Sequence, residues 1–246
     1  MCFHTSQTQK VVALEKRYKV QLSDNNVKAD YDAPKYHLNG FAHPQMLIIP
    51  QEASHVLAPA LWGVVPPYKK PEQISAYYKE AVRYGGGINA QSEKLFDHFI
   101  YKESALTRRC IIPVTGFFEP HTYKTKKYPF YIKSKIDDVL SLAGLYTLVG
   151  RVPTFTILTK EASPLFAKIH NKKNRQPVIL QKDYEGEWLK NNLNQNDVQA
   201  LLDSHFKESA LQNFTVSRDL FSPKVDSDKS TILEVVTYDD LPYRFM

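Results

Sequence analysis

The chain has 246 residues, of which 43% are hydrophobic and 24% are charged, a composition typical of a folded globular protein with one large domain or two small ones. It contains no apolar run of the roughly 18 residues that a membrane span needs, and residues 5–10 are polar where a signal peptide is apolar. These features exclude a membrane protein, and we expect a cytoplasmic one. The net charge of +6 is spread along the chain, which is compatible with a nucleic-acid partner but does not require one.

Cys2 stands out among the first residues, because removal of Met1 would make it the N-terminal residue. It would then carry an α-amine of ordinary pKa about 7.8 and a thiol of ordinary pKa about 8.5 on adjacent carbons. Such an aminothiol condenses with an aldehyde to an imine, and its sulfur then closes a five-membered thiazolidine ring. The simpler interpretation is an incidental residue on a frayed terminus. The other cysteine, Cys110, lies in an apolar run and is predicted to be a core residue, so no disulfide framework is expected.

The first half of the chain alternates predicted helices and strands with one long loop. Ser6 and Gln9 have the spacing of a capping box, which predicts a helix over residues 7–20. We expect this helix to anchor Cys2 and to lower the pKa of its thiol through the helix dipole. The other predictions, in chain order, are a loop over residues 21–44, strands over 46–49 and 55–65, a helix over 72–83, a break at the glycines 85–87 and a helix over 91–105.

The second half of the chain is richer in strands. The predictions, in chain order, are a strand over residues 110–118, a lysine-rich turn over 121–127, strands over 128–132, 140–149 and 154–159, a helical turn over 164–169, a strand over 177–180, helices over 184–190 and 197–206, and strands over 214–217 and 231–236. Short turns join most neighbouring strands. We therefore predict a single α+β domain over residues 1–237, with a mostly antiparallel, barrel-like β-sheet surrounded by helices, and a loose tail over residues 238–246.

Two side chains are candidates for proton transfer. Glu119 ends an apolar run, where partial desolvation would raise the pKa of its carboxyl; the alternative is a strand-end residue that faces water. His170 precedes a cluster of cations that should disfavour its protonated form, so it can act as an acid or base near neutral pH. The alternative for His170 is a histidine at the C-terminal end of a helix.

Three further residues are candidates for binding. Asn89 follows three glycines and offers its amide to a substrate oxygen, although Asn is also common in turns. Arg175, at the end of a basic run, and Arg218 are candidates for phosphate contacts, and a solvated charged surface is the alternative. The histidines and cysteines lack the spacing of metal ligands, so we predict no metal site and no cofactor.

The order and spacing of these segments resemble the SRAP family (SOS-response-associated peptidases, also called abasic-site-processing proteins), and the resemblance extends from the start of the chain to about residue 236. The matching pieces are Met1-Cys2, Trp62-Gly63, Asn89-Ala90 with Glu93, Gly116-Phe117-Phe118-Glu119, Ile169-His170, Arg175-Gln176-Pro177-Val178-Ile179-Leu180 and Val216-Ser217.

The resemblance implies a monomeric sensor that shields abasic sites in single-stranded DNA and associates with the nucleoid after damage. It implies that Cys2 forms a thiazolidine with the ring-opened sugar, that Glu119 manages the proton of the α-amine, and that His170 assists ring opening. By the same resemblance, Asn89 holds the terminus and the sugar. Crosslink reversal, lyase-like activity and removal of the leading peptide are also implied. The residues expected to contact DNA are His4, Trp62, Gln91, Arg175 and Arg218.

The chain departs from the family pattern at four positions. His4 and Gln91 stand where the family commonly has arginine, Pro120 replaces an aromatic residue, and Gln176 replaces methionine. Each lost arginine contact to a phosphate should lower the salt dependence of DNA binding by about one unit of slope. The residues assigned to the capture chemistry are unchanged.

Two other functions remain open from the sequence. One is a cysteine peptidase in which Cys2 attacks a peptide bond with His170 as its base, with self-processing of Met1 as its narrowest scope. The other is a non-catalytic module that binds single-stranded DNA. An abasic oligonucleotide separates the three, because only covalent capture gives a heat-stable protein–DNA band that Cys2→Ala abolishes.

Overall fold

A closed β-barrel lies at the centre of the computed structural model, which describes residues 2–242. The strands in this part of the chain are β1 His4–Gln7, β2 Gln21–Leu22, β3 Lys35–Asn39, β4 Gln45–Pro50, β5 Val56–Trp62, β6 Asn89–Gln91, β7 Arg109–Val114, β8 Gly116–Tyr123, β9 Lys126–Ser134, β10 Leu140–Val149, β11 Val152–Glu161, β12 Arg175–Pro177, β13 Ile179–Leu180 and β14 Leu211–Thr215. The barrel has the order β5-β4-β7-β10-β11, with antiparallel neighbours, and parallel pairing of β11 with β5 closes it. The predicted α+β domain with a barrel-like sheet is confirmed.

The barrel strands bury both of their faces because apolar side chains point alternately inward and outward. On β4, Met46 and Ile48 belong to the main core cluster, whereas Leu47 and Ile49 belong to a second cluster. The second cluster lies between the barrel and the helices, since it also contains helical residues such as Trp188. The barrel therefore has a packed interior and a helix-covered exterior.

The helices are short, and four of those in residues 2–242 cover the outside of the barrel. Those within the described residues are α1 Val11–Tyr18, α2 Lys28–Asp32, α3 Ile74–Ala81, α4 Tyr101–Thr107, α5 Pro164–Ile169, α6 Lys182–Trp188 and α7 Gln195–Asp203. Helices α1, α4, α6 and α7 each place side chains in the second cluster. Among residues 2–242, no helix is both long enough and apolar enough to cross a membrane.

A second, antiparallel sheet carries the N-terminal strand, in the order β14-β9-β8-β1-β3. The chain passes from the barrel into this sheet at Thr115, whose amide donates to the carbonyl of Ser6 at 2.9 Å. Phe117, Phe130 and Ile132 of this sheet pack in the same cluster as the barrel interior. The start of the chain is thus held between two neighbouring strands and placed over the core.

The predicted capping box is wrong. Ser6 belongs to β1, and its hydroxyl lies 2.9 Å from that of Thr115 and 2.8 Å from that of Tyr131. Helix α1 begins only at Val11, after Lys10, whose side chain makes no capping hydrogen bond. The Ser6 hydroxyl is taken by buried neighbours from distant strands, so it is not available to cap a helix.

Several other boundaries also differ from the predictions. The predicted loop over residues 21–44 contains β2, α2 and β3, and the predicted helix over 91–105 is reduced to α4. The single strand predicted over 110–118 is two strands, and a 3₁₀ turn at Ser230–Leu233 replaces the last predicted strand. The first part of the predicted loose tail is packed, since Leu241 is buried and the Tyr238 hydroxyl donates to the carbonyl of Val216 at 2.7 Å. Residues 243–246 of that tail lie outside the described residues.

Candidate active site

Cys2 is held firmly in place. It directly precedes β1, which pairs with β3 on one side and β8 on the other. The carbonyl of Phe3 accepts a hydrogen bond from the amide of Gly40 at 2.8 Å, and the Cys2 residue has no exposed surface. The alternative of a frayed terminus is therefore wrong.

The thiol of Cys2 is in an environment that favours its neutral form. Burial, and next the negative charge of Glu119, raise the pKa of the thiol well above its ordinary value. The predicted lowering by a helix dipole is wrong, because α1 begins beyond β1 and the dipole acts only near the first turn. Cys2 therefore lacks the electropositive, exposed surroundings of a reactive thiolate.

Asn89 contacts the backbone of Cys2 directly. Its Nδ2 donates to the Cys2 carbonyl at 2.9 Å. Gly87, in the turn before β6, has φ of +67°, and a Cβ there would lie 2.5 Å from the carbonyl oxygen of Val64. Glycine is therefore required at this close approach, which brings β6 alongside β11 and places Asn89 opposite Ile157. The Oδ1 of Asn89 is buried and has no hydrogen-bond partner among residues 2–242.

Glu119 lies in the middle of β8, paired with Phe130 of β9, and not at the strand end predicted from the sequence. It is fully buried, so the alternative of a carboxylate facing water is also wrong. Burial raises the pKa of its carboxyl to about 7, which confirms the predicted direction. A carboxyl with this pKa exchanges a proton readily near neutral pH.

His170 follows α5 and reaches back to Glu119. Its Nδ1 lies 3.1 Å from Oε2 of Glu119 and donates to the carbonyl of Arg175 at 3.0 Å. Because a carbonyl only accepts hydrogen bonds, Nδ1 carries the hydrogen and Nε2 the lone pair of the neutral ring. Burial, more than the neighbouring cations, lowers the pKa of His170 to about 4, which confirms the predicted resistance to protonation.

A cleft of about 840 Å³ opens beside these residues. Its walls combine rings, lysines and a polar segment near the end of the chain, and include Phe3, His4, His37, Phe41, Pro120, Lys127, His170, Lys172, Lys173, Phe221, Asp226 and Asp228. Lysines lie in the part near β8 and β9, and the aspartates contact or adjoin β3. The cleft can thus take a ligand with both anionic and flat apolar parts.

The residues predicted to contact DNA separate into two groups. His4 lines the cleft, where its Nδ1 lies 2.8 Å from Nε2 of His37, and Gln91 is half-buried in β6. Trp62 is fully buried and donates through its indole nitrogen to the carbonyl of Ile88 at 3.0 Å. The prediction that Trp62 contacts DNA is therefore corrected, because a ring with no exposed surface cannot stack on a base.

Both predicted arginine ligands have partners within the protein. Arg175 forms two hydrogen bonds with the carboxylate of Glu93, at 2.8 and 2.9 Å, and its side chain is only 15% exposed. The guanidinium carbon of Arg218 lies over the rings of Tyr128 and Tyr238, 4.3 and 4.7 Å from their centroids. Neither guanidinium lines the cleft, whose lining includes the lysines Lys127, Lys172 and Lys173.

Sequence reasoning missed His37, Phe41, Phe221 and Lys127. Lys172 and Lys173 had a signal, because they belong to the basic run after His170. His37, Phe41 and Lys127 come together only through the pairing of β3 with β1 and of β8 with β9, which no local pattern reveals. Phe221 lies in a 3₁₀ turn after β14 and meets the ring of His4 only in the folded chain. Among the described residues, no cluster of three or more His, Cys, Asp or Glu side chains is arranged to hold a metal ion.

Comparison with known proteins gives one consistent family. The family described as SOS response associated peptidase (SRAP) matches residues 1–223. The abasic site processing protein YoqW of Bacillus subtilis is 33% identical over 189 residues, which are 74% of this chain and 79% of that protein. The abasic site processing protein YMR114C of Saccharomyces cerevisiae is 26% identical over 166 residues, which are 65% of this chain and 42% of that protein.

A solved structure supports the same relationship. The crystal structure of a protein from Bacteroides thetaiotaomicron superposes with a TM-score of 0.83 at 27% identity, and covers 96% of this chain and 100% of that one. The similarity in structure therefore extends over nearly the whole fold. This chain belongs to the SRAP family.

Proposed function

We propose that this chain captures abasic sites in single-stranded DNA as a covalent thiazolidine, formed by Cys2 once Met1 is removed. The observation that carries the proposal is the convergence on Cys2: Asn89 binds its carbonyl and the charge of Glu119 acts on its thiol. The names of the relatives, abasic site processing proteins, support the choice of substrate.

The reaction forms two bonds at one carbon atom. The α-amine nitrogen of Cys2 adds to the C1′ aldehyde of the ring-opened sugar, and loss of water gives an imine. The thiol sulfur then adds to the imine carbon, and the thiol proton passes to the nitrogen. One aldehyde and one aminothiol give one thiazolidine and one water, so the scheme needs no oxidant, reductant or cofactor.

Glu119 is suited to move the protons of this scheme. With a pKa of about 7 it takes the proton of the α-ammonium group and returns it to the departing water. His170, with a pKa of about 4, is neutral at pH 7 and acts as a base through Nε2. The proton donor for opening the sugar ring is then Glu119, not His170 as the family resemblance suggested.

Asn89 is suited to orient the nucleophile. Its Nδ2 holds the carbonyl of Cys2, and its buried Oδ1 has no partner among residues 2–242. A buried amide oxygen without a partner is costly, and the α-amine of processed Cys2 is a donor that can satisfy it. Asn89 would thus bind both the carbonyl and the α-amine of Cys2, and hold the amine toward the sugar.

The cleft supplies the features that a DNA strand needs. Lys127, Lys172 and Lys173 can neutralise phosphates next to the abasic sugar, and the exposed parts of Phe41 and Phe221 offer faces for neighbouring bases. An abasic nucleotide has no base, so its bare sugar can approach a buried residue more closely than a normal nucleotide can.

The two alternatives are less well supported. A cysteine peptidase needs a thiol with a lowered pKa beside its base, whereas burial raises the pKa of Cys2. A non-catalytic DNA-binding module has no use for a fully buried Glu119 with a raised pKa, which lowers stability at neutral pH. The shifted pKa values of the Cys2 thiol and the Glu119 carboxyl are both expected of a site that moves protons.

The test is intact mass spectrometry after mixing the protein with a single-stranded oligonucleotide that carries one abasic site. The proposal predicts an adduct whose mass equals protein without Met1 plus oligonucleotide minus one water. Cys2→Ala should abolish it, and Cys110→Ala, which alters the other buried cysteine, should not. An adduct of the same yield with Cys2→Ala would contradict the proposal.

A further inference from the structure

A salt bridge lies behind the catalytic side chains and has not been assigned a role. Glu93 accepts two hydrogen bonds from the guanidinium of Arg175, at 2.8 and 2.9 Å, and a third from the backbone amide of Glu161 at 3.1 Å. Arg175 also donates to the carbonyl oxygen of Thr159 at 2.7 Å. The planar guanidinium is therefore fixed by two partners at once, which a single surface ion pair is not.

The salt bridge joins two strands on opposite sides of β11. Thr159 of β11 pairs with Gln91 of β6 on one side and with Pro177 of β12 on the other. Glu93 lies in the 3₁₀ turn Ser92–Lys94 that follows β6, and Arg175 begins β12. The contact between their side chains thus fixes how β6 and β12 are spaced across β11.

Each of these strands is continuous with a catalytic side chain. Strand β6 begins with Asn89, which binds the carbonyl of Cys2. Strand β12 begins with Arg175, whose carbonyl accepts the Nδ1 hydrogen of His170 at 3.0 Å. Any displacement of Arg175 moves this acceptor, and with it the orientation of the imidazole against Glu119.

We propose that Glu93 and Arg175 are a positioning pair that fixes the Nδ1–H tautomer and the orientation of His170, and the placement of Asn89, during abasic-site capture. The inference rests on the proposed function for its kinetic readout. Its spectroscopic readout, the tautomer of His170, does not depend on that function. Neither side chain contacts the reacting atoms, so both act through the backbone and side chains that they hold.

The competing role for Arg175 is the one its sequence suggested, a direct phosphate ligand. The two roles give opposite results for Glu93→Gln. If Arg175 is a phosphate ligand, neutralising Glu93 would free it and leave DNA binding equal or tighter. If Glu93 and Arg175 are a positioning pair, the same change would loosen them and slow capture, because displacement by about 1 Å at a reacting centre typically slows a reaction by about 100-fold.

The test measures two properties of Glu93→Gln and of Arg175→Lys, which keeps the charge but loses the two-pronged contact. The first is the capture rate with an abasic oligonucleotide at saturating concentration, expected to fall about 10- to 100-fold. The second is the pair of imidazole ¹⁵N shifts of His170, expected to move from the Nδ1–H form toward a mixture of tautomers. The control is Glu187→Gln, which removes a similarly exposed partner of Lys190 and should change neither property.

Each outcome decides one question. An unchanged capture rate together with unchanged ¹⁵N shifts in Glu93→Gln would overturn the positioning role. If wild-type protein forms no adduct at all, the proposed function fails. The ¹⁵N shifts of the variants then still decide whether the pair positions His170.

Discussion

The Nδ1 atom of His170 lies 3.1 Å from Oε2 of Glu119, and the two side chains are only 5% and 0% exposed. Burial raises the pKa of the carboxyl to about 7 and lowers the pKa of the imidazole to about 4. Between these values both groups are neutral, so the contact is a pair of neutral partners and not an ion pair. A site of this kind holds no buried charge at rest and has a carboxyl whose proton can be lent and recovered near neutral pH.

Glu119→Gln should slow capture strongly but stabilise the protein at alkaline pH. The unfolded carboxyl loses its proton at its ordinary pKa of 4.5 and the folded one only at about 7, so stability falls as pH rises between these values. At pH 8 the cost is on the order of 3 kcal/mol, and glutamine does not incur it. Urea unfolding at pH 8 and pH 4 measures the difference, and capture should fall by about 100-fold or more.

A gain in unfolding free energy that is equal at both pH values would contradict the raised pKa of Glu119. The matched control is Glu187→Gln, whose carboxylate is 46% exposed and should give the same stability as wild type at either pH.

The cysteines should resist thiol reagents in the folded protein that retains Met1. Cys2 and Cys110 are both fully buried, and burial raises the pKa of both thiols. Titration with a chromogenic disulfide should label neither thiol quickly in buffer and both in concentrated guanidinium chloride. Rapid labelling of one thiol in the native protein would contradict the burial described for the cysteine that reacts.

Lys172 and Lys173 should carry part of the salt dependence of DNA binding. Replacing both by alanine should reduce the slope of log affinity against log salt by about 0.7 to 1 for each lysine that contacts a phosphate. Fluorescence anisotropy with an undamaged single strand measures this slope without the covalent step. The control replaces Lys19 and Lys182, which border a different cleft. Equal slopes for the two double variants would show that Lys172 and Lys173 do not contact the DNA phosphates.

Trp62→Phe should affect stability and not DNA affinity. The indole is fully buried and donates to the carbonyl of Ile88, so phenylalanine leaves a small cavity and a buried carbonyl without that donor. The free energy of unfolding should fall by about 2 to 4 kcal/mol. Below the unfolding transition, affinity for an undamaged single strand should change less than twofold. A large loss of affinity with unchanged stability would restore the role first predicted for Trp62.

Local patterns predicted most of the elements but not how strands from distant parts of the chain pair. The apolar runs of β4, β10 and β11 and the amphipathic α3 were found because their periodicity reflects burial. The N-terminal strand was missed because Ser6 and Gln9 have the spacing of a helix start. The hydroxyl of Ser6 instead contacts those of Thr115, between β7 and β8, and of Tyr131 in β9. Local signals cannot report a partner more than a hundred residues away.

The same limit explains the site. Glu119 and His170 could be proposed from their neighbours, because an apolar run and a basic run predict how each pKa shifts. The partners of Arg175 and Trp62 could not, since Glu93 and the carbonyl of Ile88 reach them only through the pairing of β5, β6 and β12 with β11. The chemical role of a side chain could be predicted from its residue type. Which side chains line the cleft and which lie in the core could be known only from the fold.

The most direct measurement compares two forms of the protein that differ only in Met1. Each is mixed with the same abasic single-stranded oligonucleotide, and the covalent adduct is followed by intact mass. We predict an adduct, with loss of one water, only for the form that begins at Cys2. Equal rates of adduct formation by the form that keeps Met1 would contradict capture by the amine and thiol of Cys2.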